Sequence, residues 1–270
     1  MTLSSILVLF LTHLGIGLAF TLLFVSREAG VKFFRFNTGL AALFIGIGLA
    51  FRQTPAANTL TTVTTAALAL AGLTLIVYWA TVGRMWVRIR PFLLPAAGLL
   101  GTVAILGQAL EVQPRGSIPP GLTTGLIIAS FFSSAALLGG TCGAMILGHW
   151  YLVIPSMNVS HLQAITRLHI ASMIVRIVIV TTVVFLAIVS WQPGAGPSFE
   201  RYILSTSGIF FWQRVLFGLA GPLVLSYLIW ETAKIQSTQS ATGILYVDFF
   251  TVVVGEVLAK YLLLSTSVPV

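Results

Sequence analysis

The chain has 270 residues, 57% of them hydrophobic and only 7% charged, whereas a soluble globular domain carries roughly 25% charged residues. This composition excludes a water-soluble globule, and every polar stretch between the apolar runs is too short to be an independent soluble domain. The net charge of +8 comes from lysines and arginines scattered beside apolar runs, not from a basic stripe with interleaved aromatics, so the bilayer and not nucleic acid is the expected partner.

A membrane span takes about 20 apolar residues, and eight runs qualify. The first, 4–26, has no basic residue before it and no small-residue cleavage site, so it reads as a retained span and not a signal peptide. Arg27, Glu28, Lys32 and Arg35 follow it. The second, 36–51, closes at Arg52, Gln53 and Pro55; the third, 59–82, ends in Arg84, Arg88 and Arg90. The fourth, 91–112, runs into Gln113, Pro114, Arg115 and Gly116, where proline punctuates the helix end. The fifth, 121–154, has to tilt, kink or protrude, because about 34 residues extend ~51 Å against a ~30 Å hydrocarbon core. A short turn around Pro155 leads to the sixth, 160–191. A loop of Pro193, Gly194, Gly196 and Pro197 precedes the seventh, 204–230, in which Gly221 and Pro222 mark a candidate break. The eighth is 241–264.

The expected fold is therefore all-α: a polytopic transmembrane helix bundle of about eight spans forming a single integral membrane domain over 1–270. The odd-numbered connections hold Arg27, Lys32, Arg35, Arg84, Arg88, Arg90 and Lys234, against Arg52, Arg115 and Arg201 in the even ones. The positive-inside rule then places both termini on the non-cytoplasmic side. The single Cys142 has no partner for an intramolecular disulfide.

Ionisable groups in hydrocarbon cost at least about 2.5–3.5 kcal/mol each on insertion scales, so those that persist face the bundle interior and pair. Run six carries Arg167, His169 and Arg176, run seven Arg214, and run eight Asp248, Glu256 and Lys260. Counting along the helices at 1.5 Å per residue proposes two polar layers. One joins Asp248 to Arg167 or His169, and the other joins Glu256 to Arg176 or Arg214. Such layers serve either to hold spans together or to form an anion cavity or proton path.

The four histidines, His13, His149, His161 and His169, all fall in or beside apolar runs. A bis-histidine haem needs two imidazoles at one depth on facing helices, with small residues beside them. Ala135, Gly139 and Gly143, with Gly140, Ala144 and Gly148, make such a face before His149, and Gly15 and Gly17 flank His13. The same spacing is also the ordinary way two membrane helices pack without a cofactor. His149 and His169 are the expected haem iron ligands, His13 the next candidate, and Arg167 the partner of a propionate or quinone head. No H-E-x-x-H, P-loop, nucleophile elbow, C-x-x-C or C-x-x-C-H is present.

Several apolar helices, short loops and a few intramembrane histidines resemble, in architecture alone, the membrane-anchor and quinone-reactive cytochrome subunits of respiratory complexes. The expectation is a membrane subunit of an electron-transfer complex, binding quinone or b-type haem or both. Its location would be a bacterial inner membrane, among other subunits of a complex. Two alternatives stay open: a proton-coupled transporter or permease using the intramembrane Arg, Asp and Glu, and a non-catalytic assembly or scaffold subunit.

Overall fold

The most buried of the membrane-length helices is the first, α1 (Leu3–Leu22), which packs against the second, fourth, fifth and last of the helices. In this computed structural model, residues 3–53, 58–86, 88–113, 118–154, 157–192 and 198–270 are described. The expected turn and loop residues Pro55, Pro114, Arg115, Gly116, Pro155, Pro193, Gly194, Gly196 and Pro197 lie outside them. A 3-10 turn at Arg27–Ala29 leads into α2 (Gly30–Ala50), followed by α3 (Thr59–Thr81), α4 (Arg90–Glu111), α5 (Pro120–Val153) and α6 (Ser160–Val189). Then come α7 (Phe199–Ile203), α8 (Ile209–Val215), α9 (Gly221–Lys234) and α10 (Thr238–Thr266). No strand occurs among the described residues.

Seven helical segments are long and apolar enough to cross a membrane: those of runs one to six, and Thr206–Lys234. The eighth expected span corresponds to α10, whose 29 residues suffice in length but carry Asp248, Glu256 and Lys260. Outward faces are apolar in the way lipid contact requires, with Leu70, Leu73 and Ile76 on α3 and Ile174, Val175 and Val178 on α6 all exposed. This inverts the pattern of a soluble helix, and the polar side chains point inward instead.

Helix directions follow from the contacts. Gly17 meets Ala135 and Gly139, and Thr21 meets Gly143, so α1 and α5 run parallel. His169 of α6 contacts Thr141, and Arg176 contacts Ser130, which makes α6 antiparallel to α5. Glu256 meets Ser134 while Leu245 lies by Gly148, so α10 is antiparallel to α5 as well. The end of the bundle where α1 finishes therefore gathers the basic connections. There, Arg35 Nη2 donates to Val82 O at 2.6 Å, Trp150 Nε1 donates to Ala29 O at 3.0 Å, and His161 Nε2 lies 2.6 Å from Glu28 Oε2.

The small residues of α5 are consumed by this packing. A Cβ added to Gly139 would overlap the backbone of Gly17, and one on Gly143 would sit 2.6 Å from Thr21 Cγ2. The glycine face expected to admit a flat ligand is filled by protein, with α1 against Gly139 and Gly143, α6 against Gly140 and α10 against Gly148, as close approach through small residues allows. Fifth-run length is accommodated without a break, α5 continuing for 34 residues.

Run seven forms one helical segment, Thr206–Lys234, with a π-helical irregularity just before the expected break at Gly221 and Pro222. After α7 and a short 3-10 turn, α8 passes into a π-helical segment at Leu216–Ala220 and only then into α9. Pro222 has no N–H to offer the carbonyl of Gly218 four residues earlier, and Arg214 Nη1 donates to that oxygen at 2.9 Å. The widened turn also brings Gly218 against Gly255 of α10, where a Cβ on Gly218 would lie 2.6 Å from Gly255 Cα.

Replacing Gly139 with leucine is expected to destabilise the bundle by about 1–3 kcal/mol or more, the usual cost of overpacking a close contact. Thermal unfolding in detergent would show it as a lowered Tm, with Gly125→Leu, where a Cβ meets nothing within 4 Å, as the control.

Candidate functional site

Glu256 stands at the centre of the interior. It is fully buried on α10, with Arg176 Nε 2.9 Å from Oε1 and Arg214 Nη2 2.8 Å from the same oxygen. Its other oxygen, Oε2, accepts from Ser134 Oγ at 2.5 Å and lies 3.4 Å from Lys260 Nζ. Lys260 also donates to Ser134 Oγ at 2.7 Å. Arg176 Nη1 donates to Ser130 Oγ at 2.7 Å and its Nη2 to the Val270 backbone oxygen at 3.4 Å. Four elements thus converge on one carboxylate: α5 through its serines, α6 through Arg176, α8 through Arg214, and α10 itself.

The expected layer of Glu256 with Arg176 or Arg214 contains both arginines and Lys260 as well. Three cationic side chains on one carboxylate leave the cluster cation-rich, and hydroxyls supply the remaining bonds. The free space beside Ser130, Ser134, Arg176 and Lys260 is only about 10 Å³, about the minimum that one water molecule needs. No solute fits there.

From Glu256 a line of polar groups leads toward the end of the bundle where α1 begins. Ser134 Oγ lies 3.5 Å from His13 Nδ1. His13 is fully buried, with its ring edge-on to Phe131 at 4.9 Å between centroids. The neighbouring Thr12 Oγ1 accepts from Gln108 Nε2 at 3.0 Å. His13 Nε2 and Gln108 Oε1 are both buried without a hydrogen bond.

Gln108 in turn lines a cavity of about 660 Å³ between the beginnings of α1 and α3 and the ends of α2 and α4. Its walls mix Val8, Leu9 and Leu60 with Arg52, Asn58 and Glu111. Arg52 Nη2 lies 2.6 Å from Glu111 Oε1, and Asn58 caps α3 by accepting from Thr61 N at 2.8 Å, a capping box that fixes the rim. At the opposite end, a second cavity of about 400 Å³ is lined by Arg27, Arg90 and Tyr78.

The second polar layer forms as expected in one of its two versions. His169 Nε2 lies 2.9 Å from Asp248 Oδ2, both side chains fully buried. That approach is off the line of a hydrogen bond, and neither carboxylate oxygen has a hydrogen-bond partner. Thr141 Oγ1 lies 3.0 Å from His169 Nδ1, and Ser226 Oγ 3.0 Å from Nε2. Arg167, the other expected partner, is exposed on the outer face of α6.

The two histidines expected to ligate one haem iron are not brought together. His149 is exposed, with Tyr246 Oη 3.0 Å from its Nδ1, whereas His169 is level with Thr141, eight residues earlier on α5 and hence ~12 Å away along the axis. Both His169 nitrogens are already engaged by hydroxyls. No group of three or more His, Cys, Asp or Glu side chains that could hold a metal ion occurs among the described residues.

Reading of the sequence missed the serines and Gln108. Ser130 and Ser134 share a helix face at four-residue spacing, and Gln108 is a lone amide in an otherwise apolar stretch. Lone polar residues in apolar runs were the available signal. Comparison with protein families, curated proteins and solved structures finds no match for this chain.

Removing the Glu256 charge is expected to cost about 3–5 kcal/mol, the penalty for leaving buried partners unpaired. Arg214→Met should then cost at least ~1 kcal/mol less in a Glu256→Gln background than alone, because contacting residues are not additive. Thermal denaturation of the four members of the cycle measures the coupling, and simple additivity would show that the contact carries no energy.

Proposed function

We propose that this chain is a membrane subunit of an electron-transfer assembly that takes a quinone at the cavity beside Gln108 and handles protons at Glu256. The observation that carries this reading is a ligand-sized cavity beside two buried polar groupings, Gln108 with Thr12 and His13 with Ser134 and Glu256, which stand next to each other because Thr12 and His13 are chain neighbours. Converting a quinone to a quinol takes two electrons and two protons, so its site needs polar contacts for the carbonyls and a route for protons. A volume of about 660 Å³ falls in the usual range for small-molecule sites. Arg52 and Asn58 supply donors at its rim, and the buried Gln108 is among its lining residues.

On this reading quinone is preferred to haem, because His149 and His169 point to different partners. The chain has eight spans, with α10 as the eighth, and the basic end faces the cytoplasm by the positive-inside rule. Both termini and the quinone cavity then belong to the outer side of a bacterial inner membrane. Electron-carrying subunits would dock on the short loops around the cavity, since the chain has no redox motif of its own.

A proton-coupled transporter is the second reading, favoured by the cation-rich cluster around Glu256. Against it stands the ~10 Å³ of space there, enough for a proton to pass between groups but not a solute.

Protein purified in mild detergent should retain quinone or bind a short-chain quinone saturably, and Gln108→Leu should weaken binding about tenfold or more, equivalent to about 1.4 kcal/mol. Absence of both retained and added quinone in a folded sample would overturn the reading. Substrate-dependent uptake into vesicles, lost in Arg214→Met, would favour the transporter.

A further inference from the structure

Asp248 and His169 form a second buried polar site, separate from the line that serves Glu256. Asp248 lies eight residues before Glu256 on α10, ~12 Å along the axis, toward the basic end of the bundle. Around the pair stand Thr141 from α5, Ser226 from α9 and, one turn from His169 on the same face of α6, Thr166. The titratable groups in this contact are Asp248 and His169, and the groups that touch the His169 ring besides are the hydroxyls of Thr141 and Ser226.

Hydrogen-bond supply constrains the protons here. A threonine hydroxyl has a single proton to give, and Thr141 Oγ1 directs it to Leu137 O at 2.8 Å. Its contact with His169 Nδ1 at 3.0 Å is then donated by the ring. With a proton on Nδ1, a neutral imidazole presents a lone pair at Nε2, and that atom lies 2.9 Å from Asp248 Oδ2. Ser226 Oγ, 3.0 Å from Nε2, can fill that lone pair with its own proton, and Asp248 Oδ2 then faces a nitrogen that has no proton to give it. Independently, both Asp248 oxygens are fully buried without a hydrogen bond, a costly setting for a bare carboxylate.

We propose that Asp248 and His169 together bind one exchangeable proton beyond the one on Nδ1, as a site serving the basic end of the membrane bundle. The proton resides either on the carboxyl group or on Nε2 and belongs to the pair. Thr166, His169, Ser172 and Arg176 follow one another at spacings of three, three and four on α6, along one side of the helix. Thr166 Oγ1, buried and unpaired, is the next group from the pair toward the α6 N-terminus. This site is argued without reference to quinone, and its test reads protonation alone, so either proposal can fail by itself.

Asp248 is the only aspartate in the chain, so labelling aspartate with 13C reports it directly. In lipid nanodiscs at pH 7, infrared spectra should show a carboxylic acid band that shifts with the label and again in D2O. Alternatively, 15N-histidine NMR should show a doubly protonated ring. Using His161→Gln removes the exposed histidine that also faces a carboxylate, and Asp248→Asn should abolish the signal. An ionised aspartate together with singly protonated rings throughout would overturn the proposal, and because the wild-type chain gives that result directly, a misfolded Asp248→Asn variant does not weaken the test.

Discussion

Burying one carboxylate among three cations is the constraint on which the interior of this bundle depends. Glu256 receives Arg176, Arg214, Lys260 and Ser134 at hydrogen-bonding or ion-pair distance, and each comes from a position that only one rotation of its helix can supply. In a medium without water, an unmatched charge is expensive, so α5, α6, α8 and α10 have one mutual register in which the charges are met. Hydrophobic contacts among the same helices cannot select that register, since lipid is as apolar as the helices themselves.

Local features of the backbone serve this arrangement. Pro222 leaves the Gly218 carbonyl without its helical donor, Arg214 supplies one, and the π-helical turn brings Gly218 close to Gly255 on α10. The π-helical turn is thus part of how a guanidinium is held against Glu256, in keeping with the frequent placement of π-bulges at functional positions. On the other side of α5, close packing of Gly17 on Gly139 sets α1 near enough for His13 to reach Ser134. Small residues and polar contacts therefore cooperate: the former permit the approach that the latter require.

Polarity is distributed unequally between the two ends. Toward the beginning of α1, the charge cluster reaches His13 through Ser134, and Gln108 with Thr12 stands beside a roomy cavity, whereas toward its end the Asp248–His169 pair is closed in by hydroxyls. Narrow polar contacts separated by an immobile charge cluster suit the passage of protons better than of larger solutes, and the proposed quinone chemistry requires that passage. The cation-rich balance around Glu256 also gives the bundle interior a fixed positive field, which is a property of geometry and not of net composition.

Much of the architecture was legible from residue order alone. Seven of the eight apolar runs correspond to helices fit to cross a membrane, because hydrocarbon thickness imposes a length that hydropathy reports directly; the start of the second is displaced, its helix beginning at Gly30 and not at 36. Pairing depth was legible too: helical rise alone put Arg176, Arg214 and Glu256 in one layer and His169 with Asp248 in another. Rotation about each helix axis was not, since hydropathy in a membrane is high on both faces and leaves no polar side to orient. So the choice of His169 over Arg167, the separation of His149 from His169, the filling of the glycine face by α1, α6 and α10, and the recruitment of Ser134 and Gln108 came only from tertiary packing. Length and charge determine which helices exist and how deep their polar groups lie; only the packed bundle decides which of those groups touch.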